Sequence, residues 1–234
     1  VSPQPNNAGI SELTAPVSFC AGNHEIKVKL KNYGNNTLNS VTINWSFGGT
    51  AQTPISWAGS IPPYGEQEIS LGTRTFVANV PYAFVASTSL PNGVPDTDPS
   101  NDSYSTTLRT AMGGSYTIGG SSPDYATFGA AISDLETLGV CSAVTFNVAA
   151  GTYNEQITIP EISGASATNT ITFDGGTGNA STRNLTYSQT AIGAVLTLNG
   201  ADYVRIRNLT INSLGTSYGT AVWFTNSADE NIIE

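Results

Sequence analysis

The sequence is poor in charge, and poorest in positive charge. Lys and Arg number eight against seventeen Asp and Glu in 234 residues, and only 11% of the chain is charged. A protein that grips a duplex needs clustered cations to displace the counterions around the phosphates, so a net charge of −9 argues against a nucleic acid partner. There is one histidine, His24, and two cysteines, Cys20 and Cys141. The cysteines lack the C-x-x-C spacing of zinc and redox motifs. His24 has no Ser or Cys in a recognisable nucleophile elbow, which leaves a nucleophilic triad without support. No apolar run approaches the roughly 18–20 residues that span a bilayer, so the chain is not expected to be membrane-spanning. The opening Val1-Ser-Pro-Gln-Pro-Asn-Asn7 has neither a basic nor an apolar stretch of the kind a signal peptide carries, and any such peptide is expected to have been removed already.

What is abundant is Gly, Ser, Thr and Asn, a mixture that suits short strands and tight turns better than a helical enzyme core. Over about residues 1–110 the alternation of apolar and polar side chains is clean. Val41, Ile43, Trp45 and Phe47 share one face of a run whose other face is Thr42, Asn44 and Ser46. Ile26, Val28 and Leu30 alternate with Lys27, Lys29 and Lys31, and Tyr82, Phe84 and Ala86 give a third such strand. Turn chemistry separates the runs at Asn32-Tyr-Gly-Asn-Asn36, Gly48-Gly49, Pro62-Pro-Tyr-Gly65 and Pro91-Asn-Gly93. Around seven short strands at this spacing predict an antiparallel β-sandwich with Trp45 in its core.

Residues 111–234 read differently. Ala111-Met-Gly-Gly-Ser-Tyr-Thr-Ile-Gly-Gly120 suggests a linker with one short strand at 115–118. An amphipathic helix follows at about 123–138, with Tyr125, Phe128, Ala131, Ile132, Leu135 and Leu138 on one face. Ser122 or Thr127 would cap its start and Gly139 its end. Beyond the helix come strand-sized apolar runs, among them Val144-Thr-Phe-Asn-Val148, Ile157-Thr-Ile159, Ile171-Thr-Phe173, Val195-Leu-Thr-Leu198, Val204-Arg-Ile206 and Ala221-Val-Trp-Phe224. Comparable runs return after roughly 25–35 residues, separated by Gly, Asn and Ser turns, and such irregular periodicity of short strands is the mark of a solenoid. Neighbouring short strands can be parallel only if a whole coil intervenes.

Two resemblances sharpen this all-β reading. Ala8-Gly-Ile10 leading to Pro16, Ile26-Lys-Val-Lys-Leu-Lys-Asn-Tyr-Gly34, Ile61-Pro-Pro-Tyr-Gly-Glu66 and Asp96-Thr-Asp-Pro-Ser-Asn-Asp102 resemble the CARDB family of bacterial adhesion-related, immunoglobulin-like or fibronectin type III-like sandwiches. Asp124-Tyr-Ala-Thr-Phe-Gly-Ala-Ala-Ile132 is similar to the N-terminal capping helix of right-handed parallel β-helix proteins of the pectin-lyase-like group. Val144-Thr-Phe-Asn-Val-Ala-Ala-Gly-Thr-Tyr-Asn-Glu-Gln-Ile157, with its Gly-x-Tyr-x-Glu turn, is similar to their first coil, and Val204-Arg-Ile-Arg-Asn-Leu-Thr-Ile211 to a later one. The β-helix is expected to continue past Glu234, because an open solenoid end exposes its apolar stack. A sandwich followed by a β-helix resembles large proteins exported by the type IX system of gliding bacteria. That resemblance implies a secreted or cell-surface location and, as partners, glycans or other surface components, further domains of the parent protein, and secretion machinery during export.

Several residues invite chemistry, each beside a plainer role. Asp96, Asp98, Asn101 and Asp102 offer hard oxygens within seven residues, which suits calcium as a cofactor; a Pro- and Asp-rich turn explains them as simply. Asp202, Arg205 and Arg207 form either a catalytic basic set or a solvated ion pair. Glu155 matches a structural turn carboxylate of the β-helix group, whose esterase-like members keep their catalytic carboxylates and arginine on later coils. Lys27, Lys29 and Lys31 form either a site for acidic glycans or a solvated sheet face. Trp57 and Tyr64 would stack on sugar rings if both were exposed. Cys20, near the first turn of the sandwich, and Cys141, just after the helix, either bridge to each other or are separate buried thiols. A bridge would stabilise by ~3–5 kcal/mol in the loop-entropy picture. The leading expectation is a non-catalytic structural or adhesive fragment of a large surface protein. The rivals are the front part of a polysaccharide-degrading enzyme with catalytic coils beyond residue 234, and a subunit of an extracellular assembly or a secretion substrate.

Overall fold

A computed structural model describes residues 4–217 and 219–234. The chain divides between Thr110 and Ala111 into two compact units, each with a hydrophobic core of its own. The first is a sandwich of antiparallel strands: β1 (Ala8–Ala15), β2 (Gly22–Asn32), β3 (Leu38–Phe47), β4 (Thr50–Ala51), β5 (Ile55–Ile61), β6 (Glu66–Phe76), β7 (Tyr82–Ser89) and β8 (Ser103–Leu108). One sheet has the order β1-β2-β6; the other has β4-β3-β7-β8, with β5 also on β3. The strand beyond the expected number is β4. It exists because Gly48 and Gly49, both at positive φ, form a two-residue hairpin that sets Phe47 opposite Thr50.

The period-two pattern decides what each sheet buries. Ile26, Val28 and Leu30 are fully buried from β2, and Val41, Ile43 and Trp45 are buried from β3. Ala86 lies opposite Trp45 and Phe84 opposite Phe47. Phe47 stacks on the half-buried Tyr82 with ring centroids 4.7 Å apart, and Phe76 meets both edge-on. Trp45 turns its indole N–H to the Thr53 carbonyl at 3.1 Å, which satisfies the one polar atom that its burial would otherwise strand. Asn32 is buried at the end of β2. Its amide donates to the carbonyls of Asn36, Ile61 and Pro62, and its Oδ1 accepts from the Gly34 N–H. The Asn32-Tyr-Gly-Asn-Asn36 and Ile61-Pro62 turns are thereby tied to one side chain.

The second unit is a parallel β-helix. It comprises β9 (Met112–Ile118), the helix α1 (Phe128–Leu138), and β10 (Val140–Val148), β11 (Gly151–Asn154), β12 (Ile157–Pro160), β13 (Ile171–Asp174), β14 (Arg183–Tyr187), β15 (Ala194–Asn199), β16 (Val204–Arg207), β17 (Thr210–Ser213), β18 (Thr220–Thr225) and β19 (Ile232–Ile233). They form three parallel sheets, β9-β10-β13-β16-β19, β11-β14-β17 and β12-β15-β18. Register aligns like with like from coil to coil. Tyr116, Phe146, Phe173, Ile206 and Ile233 form one inward stack, Tyr153, Leu185 and Ile211 a second, and Ile159, Leu198 and Phe224 a third. Phe146 and Phe173 lie ring on ring at 4.8 Å and 19°. Gly175 permits a close approach of successive coils: its N–H donates to the Arg207 carbonyl, and a Cβ there would come within 2.0 Å of the Asn208 carbonyl oxygen.

The helix starts later than the expected 123. Asp124 instead accepts from the backbone N–H and the hydroxyl of Thr117, both at 2.8 Å, and Tyr125 bridges to Ile118. These bonds hold residues 124–125 as an extra piece of β-structure. Thr127 is the N-cap, accepting from the Ala130 N–H at 3.1 Å. Phe128, Ala131, Ile132 and Leu135 are buried in the β-helix core. Strands β11 and β14 were not legible as apolar runs, because each turns few apolar side chains inward. Among the described residues, no helix is long and apolar enough to cross a membrane.

Candidate functional site

The four residues read as calcium ligands surround the short 3-10 turn Pro99–Asn101 before β8. Asp96 accepts from the Ala8 N–H through one oxygen and from the Asp98 N–H through the other, both at 2.9 Å. Asp98 accepts from the Ser100 hydroxyl at 2.6 Å and from the Ser100 N–H at 3.3 Å, and those bonds hold its carboxyl below the usual range. The Asn101 amide reaches the other Asp98 oxygen at a long 3.5 Å. The main-chain carbonyl of Asp102 accepts from the Ile10 and Thr88 N–H groups, tying β1 and β7 to the turn. Burial, then the charges of Asp96 and Asp98, push its carboxyl up to about 6. Asp96 and Asp98 point their oxygens at donors of the turn and of β1, and among the described residues no group of three or more His, Cys, Asp or Glu is placed to hold a metal ion.

The lysine row is no open basic surface either. Lys27 contacts Glu68 at 3.1 Å and Glu25 at 3.6 Å; Lys29 contacts Glu12 at 2.7 Å and Glu66 at 3.3 Å. The Glu68 hydrogen bond first, then the nearby carboxylate charges, raise the Lys27 ammonium above its ordinary value, and hydrogen bonds to Glu12 and Glu66 do the same for Lys29. Lys31 lies over the Tyr33 ring at 5.0 Å. Apart from Glu25, two residues before Lys27 on β2, the pairing partners sit on β1 and β6, far away in sequence.

On the β-helix, Arg205 and Arg207 do share the outward face of β16. Arg207 pairs with Asp174 of the preceding coil at 3.1 Å, not with Asp202. Asp174 also accepts from the Asn208 amide and the Gly176 N–H. Burial pushes the Asp174 carboxyl up, but these hydrogen bonds and the Arg207 charge outweigh it and leave it below the usual range. Asp202 accepts from the Asp229 N–H at 2.7 Å. The triad of Asp202, Arg205 and Arg207 is thus divided between a coil-to-coil ion pair and a turn.

Glu155 has the structural role its motif implied, at a definite place. Its two oxygens accept from the N–H groups of Phe128 at 3.1 Å and Gly129 at 2.8 Å, the first two residues of α1. With Thr127 on the third N–H, the exposed donors and positive end of the helix are satisfied. In the same turn the Tyr153 hydroxyl lies 2.9 Å from the Ala149 carbonyl and 3.2 Å from that of Ile118. Burial raises the Tyr153 phenol above its ordinary value.

Trp57 is buried in the sandwich core, so the Trp57 and Tyr64 platform does not form, although Tyr64 is exposed. His24 lies within β2 rather than in the loop before it, with its Nε2 2.8 Å from the Cys20 carbonyl and its ring against Phe19. Neither Cys20 nor Cys141 is a free thiol.

One concave surface escaped the sequence reading. On the outward side of the β12-β15-β18 sheet, Thr158, Thr197 and Trp223 occupy one rung, and Pro160, Asn199 and Thr225 the next on that side. With Gln156, all of these but Pro160 line a groove of about 310 Å³. The Gln156 amide donates to the Ala194 carbonyl at 2.9 Å, and the Asn226 amide donates to Asn199 Oδ1 at 2.5 Å, so both side chains are held. The signal was present in parity: in Ala221-Val-Trp-Phe224, Val222 and Phe224 pair with the inward Leu196 and Leu198, which sends Trp223 outward.

No family model and no curated protein matches the chain. Among solved structures it is similar to the CARDB domain of a Pyrococcus furiosus protein in complex with di-metal ions, at 19% identity over 47% of this chain and 93% of that one, with a TM-score of 0.38. A domain of a cell surface protein from Methanosarcina acetivorans aligns at 16% identity over 47% of this chain and 95% of that one, with a TM-score of 0.39. The Family 28 exopolygalacturonase of Yersinia enterocolitica aligns at 10% identity over 85% of this chain and 40% of that one, with a TM-score of 0.27.

Proposed function

We propose that this chain is a non-catalytic, structural and adhesive part of a large secreted cell-surface protein, attaching it to glycans or other surface components. One observation carries the reading: the charged side chains that would make an enzyme are engaged within the fold. Glu155 holds a helix end, Asp174 holds Arg207 and a turn, Asp202 holds a backbone N–H, and Lys27 and Lys29 hold their neighbouring glutamates. General acid–base catalysis needs such a group within hydrogen-bond reach of substrate. What faces outward from the parallel sheets is instead largely Thr and Asn, suited to contact without turnover.

The test is retention of the labelled chain on cells, mineral surfaces and immobilised polysaccharides, with released reducing ends measured in the same samples. Retention on at least one surface with no release is expected. Release of reducing ends by this 234-residue chain, or no retention anywhere, would overturn the reading. Cys20 and Cys141 pair with each other in this proposal, which non-reducing peptide mapping checks: a linked peptide pair holding both residues is expected, and linkage to any other thiol contradicts it.

A further inference from the structure

We infer that the groove on the outward side of the β12-β15-β18 sheet is a binding site for a neutral polysaccharide, with Trp223 as its stacking platform. The inference rests on the attachment reading above and names its ligand class. Two observations and one general argument converge on it. Trp223 is 45% exposed, whereas Trp45 and Trp57 are buried in the sandwich, so one of the three tryptophans offers its ring to solvent. Its side chain has no inward role, since the inward positions of β18 are taken by Val222 and Phe224. An indole left exposed on a polar sheet face is costly in water and pairs well with a ligand that is apolar on one face and polar at its edge.

The surroundings define the rest of the ligand. Thr197 and Thr158 continue the Trp223 rung across two strand spacings, ~10 Å of shallow floor. Thr225, Asn199 and Gln156 border it with hydroxyl and amide groups. A pyranose presents C–H groups on its faces and hydroxyls around its rim, so its face suits the indole and its rim suits the amides and hydroxyls. None of the side chains lining the groove is charged. A polyuronate carries a carboxylate on every sugar and would enter with no cation to receive it, losing hydration without compensation. The groove therefore selects neutral glycans against acidic ones, and it gives no position from which a general acid could protonate a glycosidic oxygen.

The experiment uses the full 234-residue chain in affinity electrophoresis through gels containing a neutral β-glucan, xylan or mannan, or polygalacturonate. Tryptophan emission under acrylamide quenching is followed in parallel. Retardation by at least one neutral polymer and none by polygalacturonate is expected, with the ligand shielding the quenchable tryptophan. Trp223→Ala should weaken binding about ten-fold or more, equivalent to ~1.4 kcal/mol, and Trp223→Phe should recover part of it. An unchanged melting temperature and far-ultraviolet spectrum would show that both variants fold. Binding unchanged in Trp223→Ala, equal binding to polygalacturonate, or no retardation by any neutral polymer would each overturn the inference. Undiminished retention of Trp223→Ala on cells would leave the attachment reading standing while this site falls.

Discussion

The two units solve the same problem, burying the face of a β-sheet, with opposite means. The sandwich uses strands of up to 11 residues whose outward sides neutralise each other across antiparallel neighbours, as Lys27 and Lys29 do with Glu68, Glu12 and Glu66. The β-helix uses strands mostly of four to six residues and stacks identical positions of successive coils. Of its few charges, Glu155 sits beneath α1, while Asp174 and Arg207 pair between the neighbouring strands β13 and β16 of successive coils. The lesson is that a long alternating strand announces its own inward face, whereas a short parallel strand acquires meaning only from the coil beside it.

The largest break in this comparison is expected from the ring stack. Phe146→Ala removes a fully buried ring that contacts Phe173, Tyr116 and Tyr125. It should cost about 3–5 kcal/mol, lowering the β-helix transition in calorimetry while the sandwich transition stays in place; a matched drop in both would mean the two cores are not separate. Asn32→Ala is the corresponding test of the sandwich. It removes the side-chain donor to the Asn36, Ile61 and Pro62 carbonyls and one of the two acceptors of the Gly34 N–H, and a loss of about 1–3 kcal/mol is expected in urea unfolding. A loss below 0.5 kcal/mol, roughly the effect of an ordinary surface change, would mean water replaces the side chain freely. Glu155→Ala should cost about 1 kcal/mol by uncapping α1, with faster amide exchange at Phe128 and Gly129 as the local readout.

The smallest effect concerns pH. The Asp102 carboxyl is raised to about 6 in the fold, against about 3.9 in an unfolded chain. Between these values the folded state holds more protons than the unfolded one, so the sandwich gains stability as pH falls from 7 to 5. The gain is lost again as pH rises through about 6. The lowered carboxyls of Glu68 and Asp98 act only at more acid pH, outside that window. Asp102→Asn should therefore stabilise the sandwich at pH 7 by about 0.5–1 kcal/mol, after allowing for partial solvent screening, and flatten the slope between pH 5 and 7. A sandwich whose melting temperature falls on acidification over that range would contradict this account.

Much of the architecture was legible because side-chain parity is a local property. Val41 to Phe47 and Ile26 to Lys31 assign their own faces, and Thr127 and Gly139 bracket the helix. Partners were not legible, because they are set by register between distant segments. Arg207 meets Asp174 rather than the nearer Asp202, and the lysines meet glutamates on two other strands. The acidic residues at 96–102 resembled a metal loop in composition, yet which N–H each oxygen would find depended on β1 lying alongside. Trp223 was hidden for the same reason: its outward direction follows from its run, but the floor beside it comes from two earlier coils.

The corner between the first and second parallel sheets is turned by residues 149–150 in one coil, by 175–182 in the next and by 208–209 in the third. The flanking strands nevertheless keep their pairing, Asn147 with Asp174 and Arg207 on one side and Gly151 with Arg183 on the other. Segment length at that corner is thus uncoupled from alignment of the coils. A reporter peptide spliced in at Gly178 would project from the rod without disturbing the ladder, giving each coil an independent place to acquire new surface chemistry.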